Sequence, residues 1–279
     1  MTRLLLSLIV LMCFPAWADI VELTLPNKLV ARAEYQPGQR NKPAILLIHG
    51  FLQTHEFPVI HHLNESLQSA GYSVLAPTLT LGISERKQSL ACEALNTHSQ
   101  SDAMDEIGAW VKWLKTRHAG GIVMMGHSFG SMEAFIYAVE KRDPAIRKIV
   151  GVSILEGRLA ATGAEKDRQL AELRALAKSG SRKMVVRPFS FCQKYRSTPS
   201  GLLSYLEWTP ERILREVNRS RLPITFIMGG KDDRLGPGWI EKLEKTRARV
   251  HIIKGANHFM DGEYEFDLQD LVLAELKSQ

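Results

Sequence analysis

Apolar residues in this chain fall into short continuous runs that are separated by longer stretches of mixed polarity. A continuous run, as opposed to an alternating one, is typical of a strand buried on both faces, as in a parallel sheet between two helix layers. Residues 20–35 instead predict an antiparallel hairpin at one edge of the sheet, turning near Pro26 and Asn27. The runs that predict sheet strands are 44–48, 72–76, 122–125, 146–155, 224–228 and 250–253.

Amphipathic segments lie between these runs and predict helices. Residues 101–118 place four apolar side chains at spacings of three and four, namely Met104, Ile107, Val111 and Leu114. Further helices are expected over 129–142, where Asp143-Pro144 follows, and over 263–277. Regular alternation of strands and helices indicates an α/β fold with a doubly wound, mostly parallel sheet.

One segment, about 156–221, interrupts this alternation with polar, helical sequence and no convincing strand. Because it stands between two predicted sheet strands, the chain must leave the sheet and return to it. We therefore expect a helical cap insertion within a single domain that spans residues 19–279. The segment carries 14 Lys or Arg against 7 Asp or Glu, a basic excess whose meaning depends on the site.

The first eighteen residues have the pattern of a signal peptide. Arg3 is the only charge, residues 4–14 are apolar, and Ala16-Trp17-Ala18 offers a small-x-small cleavage site. The apolar stretch is shorter than the roughly 20 residues that span a bilayer. A buried N-terminal helix is the alternative. With the leader removed, no transmembrane helix is expected, and the mature protein would be periplasmic or secreted.

The charge balance and the cysteine content limit the classes of function that the chain can have. The chain has 36 Lys or Arg against 30 Asp or Glu, and without a run of basic residues this mild excess does not indicate nucleic-acid binding. Two cysteines would remain after cleavage of the leader, Cys92 and Cys192. In an oxidising compartment an even pair favours a disulfide, although two free, half-buried thiols are the alternative.

A candidate nucleophile follows the predicted strand 122–125. The sequence Gly126-His127-Ser128-Phe129-Gly130 lies between that strand and a helix, which is the setting of the nucleophile elbow G-x-S-x-G. A turn this tight favours glycine on both sides of the serine. The N-terminus of the following helix also favours negative charge at the reacting centre.

A serine hydroxyl needs a base that takes its proton. His258 lies just beyond the last predicted strand, and ligands of open α/β sheets bind at the carboxyl ends of strands. The loop after strand 224–228 carries two adjacent acids, either of which could orient the imidazole. We favour Asp232, with Asp233 solvated or capping the next helix. Three unrelated folds that carry such a triad differ in the order of its residues along the chain. The order here, serine then aspartate then histidine, is found in one of them.

These motifs resemble the α/β-hydrolase superfamily, in particular its serine esterase, lipase and serine-peptidase-like branch. The resemblance extends over residues 20–278, and its anchors are 49–51, the elbow, 229–232 and 255–258. It implies an oxyanion hole formed by the backbone N–H groups of Phe51 and Phe129. It also implies that His49 is structural. Loss of one such donor typically costs about 10²–10³ in rate.

We expect the protein to hydrolyse the carboxylic ester bond of a small-molecule acyl substrate, with Ser128, Asp232 and His258 as a catalytic triad. No metal or organic cofactor is implied, since the Cys and His residues lack zinc-binding spacing. A peptidase, amidase or acyltransferase could use the same triad. A catalytically silent binding protein on the same fold is the alternative from a different class.

The basic excess of the cap leaves two interpretations open. The substrate, or a surface that the protein contacts peripherally, could be anionic. Alternatively, these Lys and Arg residues solvate the outer faces of helices, as charged residues commonly do.

Overall fold

The computed structural model describes residues 19–156 and 162–277. The signal peptide predicted at residues 1–18 lies outside the described residues, and no helix within them is long and apolar enough to span a membrane. Over residues 19–156 and 162–277, the main sheet has eight strands in the order β1-β2-β4-β3-β5-β6-β9-β10. Their bounds are β1 Asp19–Thr24, β2 Val30–Gln36, β3 Ala44–Ile48, β4 Ser73–Thr78, β5 Ile122–His127, β6 Ile146–Val152, β9 Ile224–Gly229 and β10 Arg249–Ile253.

The strands β4, β3, β5, β6, β9 and β10, neighbours in that order, pair in parallel. At the other end of the sheet, β1 pairs antiparallel with β2, and β2 pairs antiparallel with β4. The edge hairpin and the mostly parallel sheet are therefore confirmed. The strand predicted at 146–155 is shorter than expected, since β6 ends at Val152. The part of the chain that the structure describes forms eight helices: α1 Pro58–Ser69, α2 Gln100–Arg117, α3 Phe129–Lys141, α4 Gly163–Lys178, α5 Pro199–Leu206, α6 Pro210–Arg219, α7 Trp239–Glu244 and α8 Tyr264–Lys277.

The strands β3, β4, β5 and β9 are buried on both faces of the sheet, which accounts for their continuous apolar runs. In β3, Leu46 and Ile48 belong to a core cluster that also contains residues of α2 and α3. Ile45 and Leu47 point to the other face, where they join residues of α1 and α8. Neighbouring residues of a strand face opposite sides of a sheet, so each side chain of β3 packs against one of the two helix layers.

The segment 156–221 contains strands as well as helices, and in this respect the prediction is wrong. Between α4 and α5, the strands β7 Val185–Phe189 and β8 Cys192–Ser197 form an antiparallel hairpin. Its sequence is polar because Gln193, Lys194 and Arg196 of β8 are exposed, while Cys192 and Tyr195 are buried. The hairpin is stabilised by packing of its inward side chains against the main domain, a tertiary contact that local sequence does not reveal.

Candidate active site

Ser128 occupies a strained turn between β5 and α3. Its φ and ψ angles are 58° and −124°, a conformation that costs of the order of 1–3 kcal/mol for a residue other than glycine. The backbone N–H of Ser128 donates to the carbonyl of Val152 in the neighbouring strand at 2.8 Å. A Cβ atom at Gly126 would lie 2.4 Å from the backbone of Gly130, and one at Gly130 would lie 2.3 Å from the carbonyl oxygen of His49. Both glycines are therefore required by close backbone packing.

The loops after β9 and β10 are joined by backbone hydrogen bonds. The N–H of Gly230 donates to the carbonyl of Ile253 at 2.9 Å, and that of Lys231 donates to Ala256 at 2.8 Å. Since β9 and β10 are parallel neighbours, these bonds continue the pairing of the strands into their loops. They bring Asp232 opposite His258.

The structure brings Ser128, His258 and Asp232 together. Nε2 of His258 lies 2.9 Å from Oγ of Ser128, and Nδ1 of His258 lies 2.7 Å from Oδ2 of Asp232. With Asp232 ionised, Nδ1 carries the proton and donates to the carboxylate, which leaves Nε2 as an acceptor for the serine hydroxyl. Asp233 is exposed, and it is Asp232 that contacts the imidazole.

The three side chains are shielded from solvent. The side chain of His258 is 2% exposed and that of Asp232 is fully buried, and Ser128 is also buried. The second carboxylate oxygen of Asp232 accepts a hydrogen bond from the backbone N–H of Arg234 at 3.0 Å. Low local dielectric strengthens interactions among such groups, so the aspartate has a strong orienting effect on the imidazole.

Phe51 and Phe129, the two residues expected to form the oxyanion hole, lie side by side with ring centroids 4.9 Å apart. Phe51 belongs to a tight turn in which the N–H of Gln53 donates to the carbonyl of Gly50, while the side chain of Gln53 accepts from the N–H of Gly50, each at 3.1 Å. Phe129 is the first residue of α3, so its N–H group has no acceptor within the helix.

His49 joins the loops that follow β3 and β4 by hydrogen bonds. Its Nε2 accepts a hydrogen bond from the N–H of Leu79 at 3.0 Å, and its Nδ1 donates to the carbonyl of Gly50 at 2.8 Å. Burial lowers the pKa of His49 to about 3, so the ring is neutral. The guanidinium of Arg86 lies 3.1 Å from the same Nε2 and donates to the carbonyls of Leu79 and Gln53 at 2.7 Å. Nothing in the sequence marked Arg86 for this role.

His127 is a further residue that sequence reasoning did not single out, although it is the variable residue of the elbow. Its Nε2 lies 2.9 Å from the carbonyl oxygen of His258 and so carries a proton that it donates. The two imidazole rings are also in contact, with centroids 5.0 Å apart. Burial lowers the pKa of His127 to about 3, so its second nitrogen is unprotonated.

Aromatic residues from the segment 156–221 cover the predicted oxyanion residues. The ring of Phe51 contacts Phe189, Phe191 and Tyr195 of the β7–β8 hairpin at centroid distances of 5.3–5.8 Å. Tyr205 of α5 contacts it at 6.4 Å. Phe189 and Tyr205 also contact the ring of Phe129 at 5.5 and 6.0 Å, so aromatic side chains of this segment pack over both predicted oxyanion residues.

A disulfide joins Cys92 and Cys192. Cys192 begins β8, and Cys92 lies in the loop between β4 and α2. Backbone hydrogen bonds reinforce this junction, since the N–H of Asn96 donates to the carbonyl of Arg196 at 3.1 Å and that of Arg196 donates to Cys92 at 3.3 Å. The hairpin is thus attached covalently to the main domain. Within the described residues, no group of three or more His, Cys, Asp or Glu side chains is arranged to hold a metal ion.

Comparison with known proteins agrees with this architecture. The profile of the alpha/beta hydrolase family matches residues 45–266, and the chain belongs to that family. Comparison with curated protein sequences finds no significant match.

Several solved structures share the fold at low sequence identity. Est1E from Butyrivibrio proteoclasticus has a TM-score of 0.64 at 16% identity, covering 94% of this chain and 99% of its own. A monoacylglycerol lipase from Paleococcus ferrophilus has a TM-score of 0.66 at 19% identity, with coverages of 89% and 98%. The esterase domain of a Rhodothermus marinus protein has a TM-score of 0.62 at 13% identity, with coverages of 93% and 97%. At these identities the likeness concerns the fold.

Proposed function

We propose that this protein is a serine hydrolase that cleaves carboxylic esters through an acyl-enzyme. The observation that carries the proposal is the hydrogen-bonded chain from Ser128 through His258 to Asp232, with contacts of 2.9 and 2.7 Å. A nucleophile, a base and a group that orients the base are the parts that acyl transfer needs. Membership of the alpha/beta hydrolase family is consistent with this chemistry.

In the first half of the reaction, Oγ of Ser128 attacks the ester carbonyl carbon while Nε2 of His258 takes the hydroxyl proton. Asp232 stabilises the imidazolium that forms, and the N–H groups of Phe51 and Phe129 hold the negative oxygen. When the tetrahedral intermediate collapses, the C–O bond to the alcohol breaks. His258 gives its proton to the departing alkoxide, which leaves an ester between Ser128 and the acyl group.

Water completes the cycle by the same steps. His258 takes a proton from the water, whose oxygen attacks the acyl carbon. Collapse of the second intermediate releases the carboxylic acid and returns the proton to Oγ of Ser128. These steps balance without a cofactor. The acyl group passes to the nucleophile that reaches the acyl-enzyme most easily, which here is water. An acyltransferase would differ only in binding an acceptor other than water.

The proposal of ester cleavage, as opposed to amide cleavage, is supported by two of the structurally similar proteins, a monoacylglycerol lipase and an esterase domain. We also propose export to the periplasm or the exterior, with residues 1–18 as the leader. The Cys92–Cys192 disulfide supports it, because disulfides persist mainly in oxidising compartments.

A comparison of p-nitrophenyl acyl esters with aminoacyl p-nitroanilides tests the proposed activity. Ester turnover that is lost in Ser128→Ala, with slower anilide turnover, is expected. Faster anilide turnover would favour a peptidase or amidase. Binding of esters with no turnover, unchanged in Ser128→Ala, would favour a silent binding protein and contradict the proposal.

A further inference from the structure

Arg86 is a buried residue of the loop between β4 and α2, and its guanidinium is bonded on every nitrogen. Nη2 donates to the carbonyl of Gln53 at 2.7 Å and also lies 3.1 Å from Nε2 of His49. Nε donates to the carbonyl of Leu79 at 2.7 Å, and Nη1 donates to that of Gln88 at 2.8 Å. One planar group therefore joins the loops that follow β3 and β4.

The two residues that Nη2 contacts, His49 and Gln53, flank a tight turn. In this turn, residues 50–53, the N–H of Gln53 donates to the carbonyl of Gly50 at 3.1 Å. Leu52 has a φ angle of 60°, a conformation that residues other than glycine keep only where the surrounding structure holds them. Phe51, whose N–H is expected to hold the oxyanion, lies inside the turn. The guanidinium thus contacts both ends of the segment that presents this N–H group.

The loop that carries Arg86 contacts the same turn through its backbone. The N–H of Leu90 donates to the carbonyl of Leu52 at 2.9 Å. Two residues further on, Cys92 is joined by the disulfide to Cys192 at the start of β8. Residues 86–92 are therefore themselves anchored, which gives the guanidinium a fixed base from which to hold the turn.

The charge of Arg86 strengthens these contacts. Burial lowers the pKa of Arg86 to about 10, although Glu106 and Glu133 attract its charge and oppose this effect. The guanidinium is therefore charged at neutral pH and acts only as a donor. Charge-assisted hydrogen bonds are stronger than neutral ones, so Arg86 restricts the turn more than an uncharged donor would.

We propose that Arg86 is a positioning residue that holds the turn 50–53 in the form in which the N–H of Phe51 reaches the oxyanion. This proposal rests on the proposed ester hydrolase function. Arg86 acts through the backbone of the turn and takes no part in the acyl-transfer steps. A displaced donor stabilises the transition state less, while the ester itself binds as before.

Arg86→Lys tests the proposal, because it keeps the charge but supplies one nitrogen in place of three. It should lower kcat for a p-nitrophenyl ester by about 10- to 100-fold, since small displacements of catalytic groups are costly. KM should change by less than about threefold, as expected when the lost interaction is made only in the transition state. Arg86→Gln, which also removes the charge, should lose at least as much in kcat.

An alkyl trifluoromethyl ketone gives a second readout of the same geometry. Oγ of Ser128 adds to its carbonyl carbon, His258 takes the hydroxyl proton, and the carbonyl oxygen becomes an oxyanion. The inhibition constant should rise in Arg86→Lys by about the factor by which kcat/KM falls. Loss of folded protein alone would lower the measured rate and leave the inhibition constant unchanged.

Lys148→Gln is the matched control for stability. Lys148 is also a buried cation, but it pairs with Glu275 of α8. The variant should unfold at a lower urea concentration and keep the kcat of the unaltered protein under conditions where it is folded. A loss of kcat as large as that of Arg86→Lys would show that removal of any buried cation has this effect, and would overturn the assignment.

Hydrogen exchange followed by mass spectrometry examines the turn without turnover. Exchange in a peptide that covers residues 50–53 should be faster in Arg86→Lys, with exchange in β5 unchanged. Unchanged exchange in the turn, or a kcat within about twofold of the unaltered protein in both Arg86 variants, would overturn the assignment. Failure of the unaltered protein to hydrolyse any ester would contradict the proposed function instead, and hydrogen exchange would still decide whether Arg86 holds the turn.

Discussion

The side chain of His127 donates a hydrogen bond to the backbone carbonyl of His258 at 2.9 Å. The residue immediately before Ser128, the proposed nucleophile, thus holds the backbone of His258, the proposed base. Because the contact involves a carbonyl, it fixes the position of His258 without competing for either ring nitrogen. We infer that His127 is a positioning residue.

Replacing His127 tests this role. His127→Ala should lower kcat by about 10- to 100-fold with little change in KM, because small displacements of a base are costly to catalysis. His127→Gln keeps an N–H donor and should recover part of the rate. His118→Ala is the control, since His118 is also buried but lies at the end of α2. An unchanged kcat in folded His127→Ala would contradict the inference.

The adjacent acids Asp232 and Asp233 allow a matched pair of substitutions. Asp232→Asn should lower kcat by about 10⁴, because an amide that donates to Nδ1 stabilises the wrong tautomer of His258. Asp233→Asn alters an exposed carboxylate and should change kcat by less than about twofold. Steady-state kinetics with one ester measures kcat for both variants. Similar losses of kcat in the two would refute the assignment of Asp232 as the residue that orients His258.

The Cys92–Cys192 disulfide should contribute to stability as well as to the position of the β7–β8 hairpin. It joins residues 100 positions apart. Closing such a loop lowers the conformational entropy of the unfolded chain, which stabilises the folded protein by about 4.7 kcal/mol at most. The double variant Cys92→Ser/Cys192→Ser should unfold at lower urea concentration, by an amount that dithiothreitol reproduces in the unaltered protein. Two free thiols in protein prepared from an oxidising compartment, detected by non-reducing mass spectrometry, would show that the bond does not form.

Glu275 of α8 is the centre of a buried ionic network. Its carboxylate accepts hydrogen bonds from Thr225, Lys148, Arg249 and His251 at 2.8–3.1 Å. Burial opposes ionisation, but these donors outweigh it and lower the pKa of Glu275 from 4.5 to about 2. A carboxyl group with a lowered pKa in the folded state stabilises the protein above its unfolded pKa. That contribution is lost as the pH falls from about 4.5 toward 2.

Glu275→Gln should therefore lower the free energy of unfolding at neutral pH, by about 3–5 kcal/mol, because the buried ammonium of Lys148 loses its counter-charge. The difference from the unaltered protein should shrink as the pH falls below 4.5. Urea denaturation at several pH values measures both effects. Asp270→Asn, an exposed acid in the same helix, should change stability by less than about 0.5 kcal/mol. A difference that is independent of pH would contradict the assigned pKa.

Much of the fold could be predicted from the sequence because its signals are local. The continuous apolar run at 44–48 requires burial on both faces, and β3 has it. The elbow around Ser128 was recognisable since its glycines are fixed in spacing. The helices over 101–118 and 263–277 were expected within one residue of α2 and α8.

Other features depended on contacts between distant residues. The β7–β8 hairpin was missed, since its inward aromatic residues, Phe189 and Tyr195, pack against the ring of Phe51 about 140 positions earlier in the chain. Arg86 was also missed, because its acceptors are backbone carbonyls and an imidazole that the fold brings together. The preference for Asp232 over Asp233 depends on how the loops after β9 and β10 pair, which the sequence leaves open.

The most direct test of the proposed activity is covalent labelling by a fluorophosphonate, followed by peptide mass spectrometry. The probe reacts with a serine whose proton is taken by a neighbouring base. We expect one stoichiometric adduct, located on Ser128, that disappears in Ser128→Ala and forms far more slowly in His258→Ala. Absence of labelling in the folded protein, or labelling at the same rate in His258→Ala, would contradict the proposed triad.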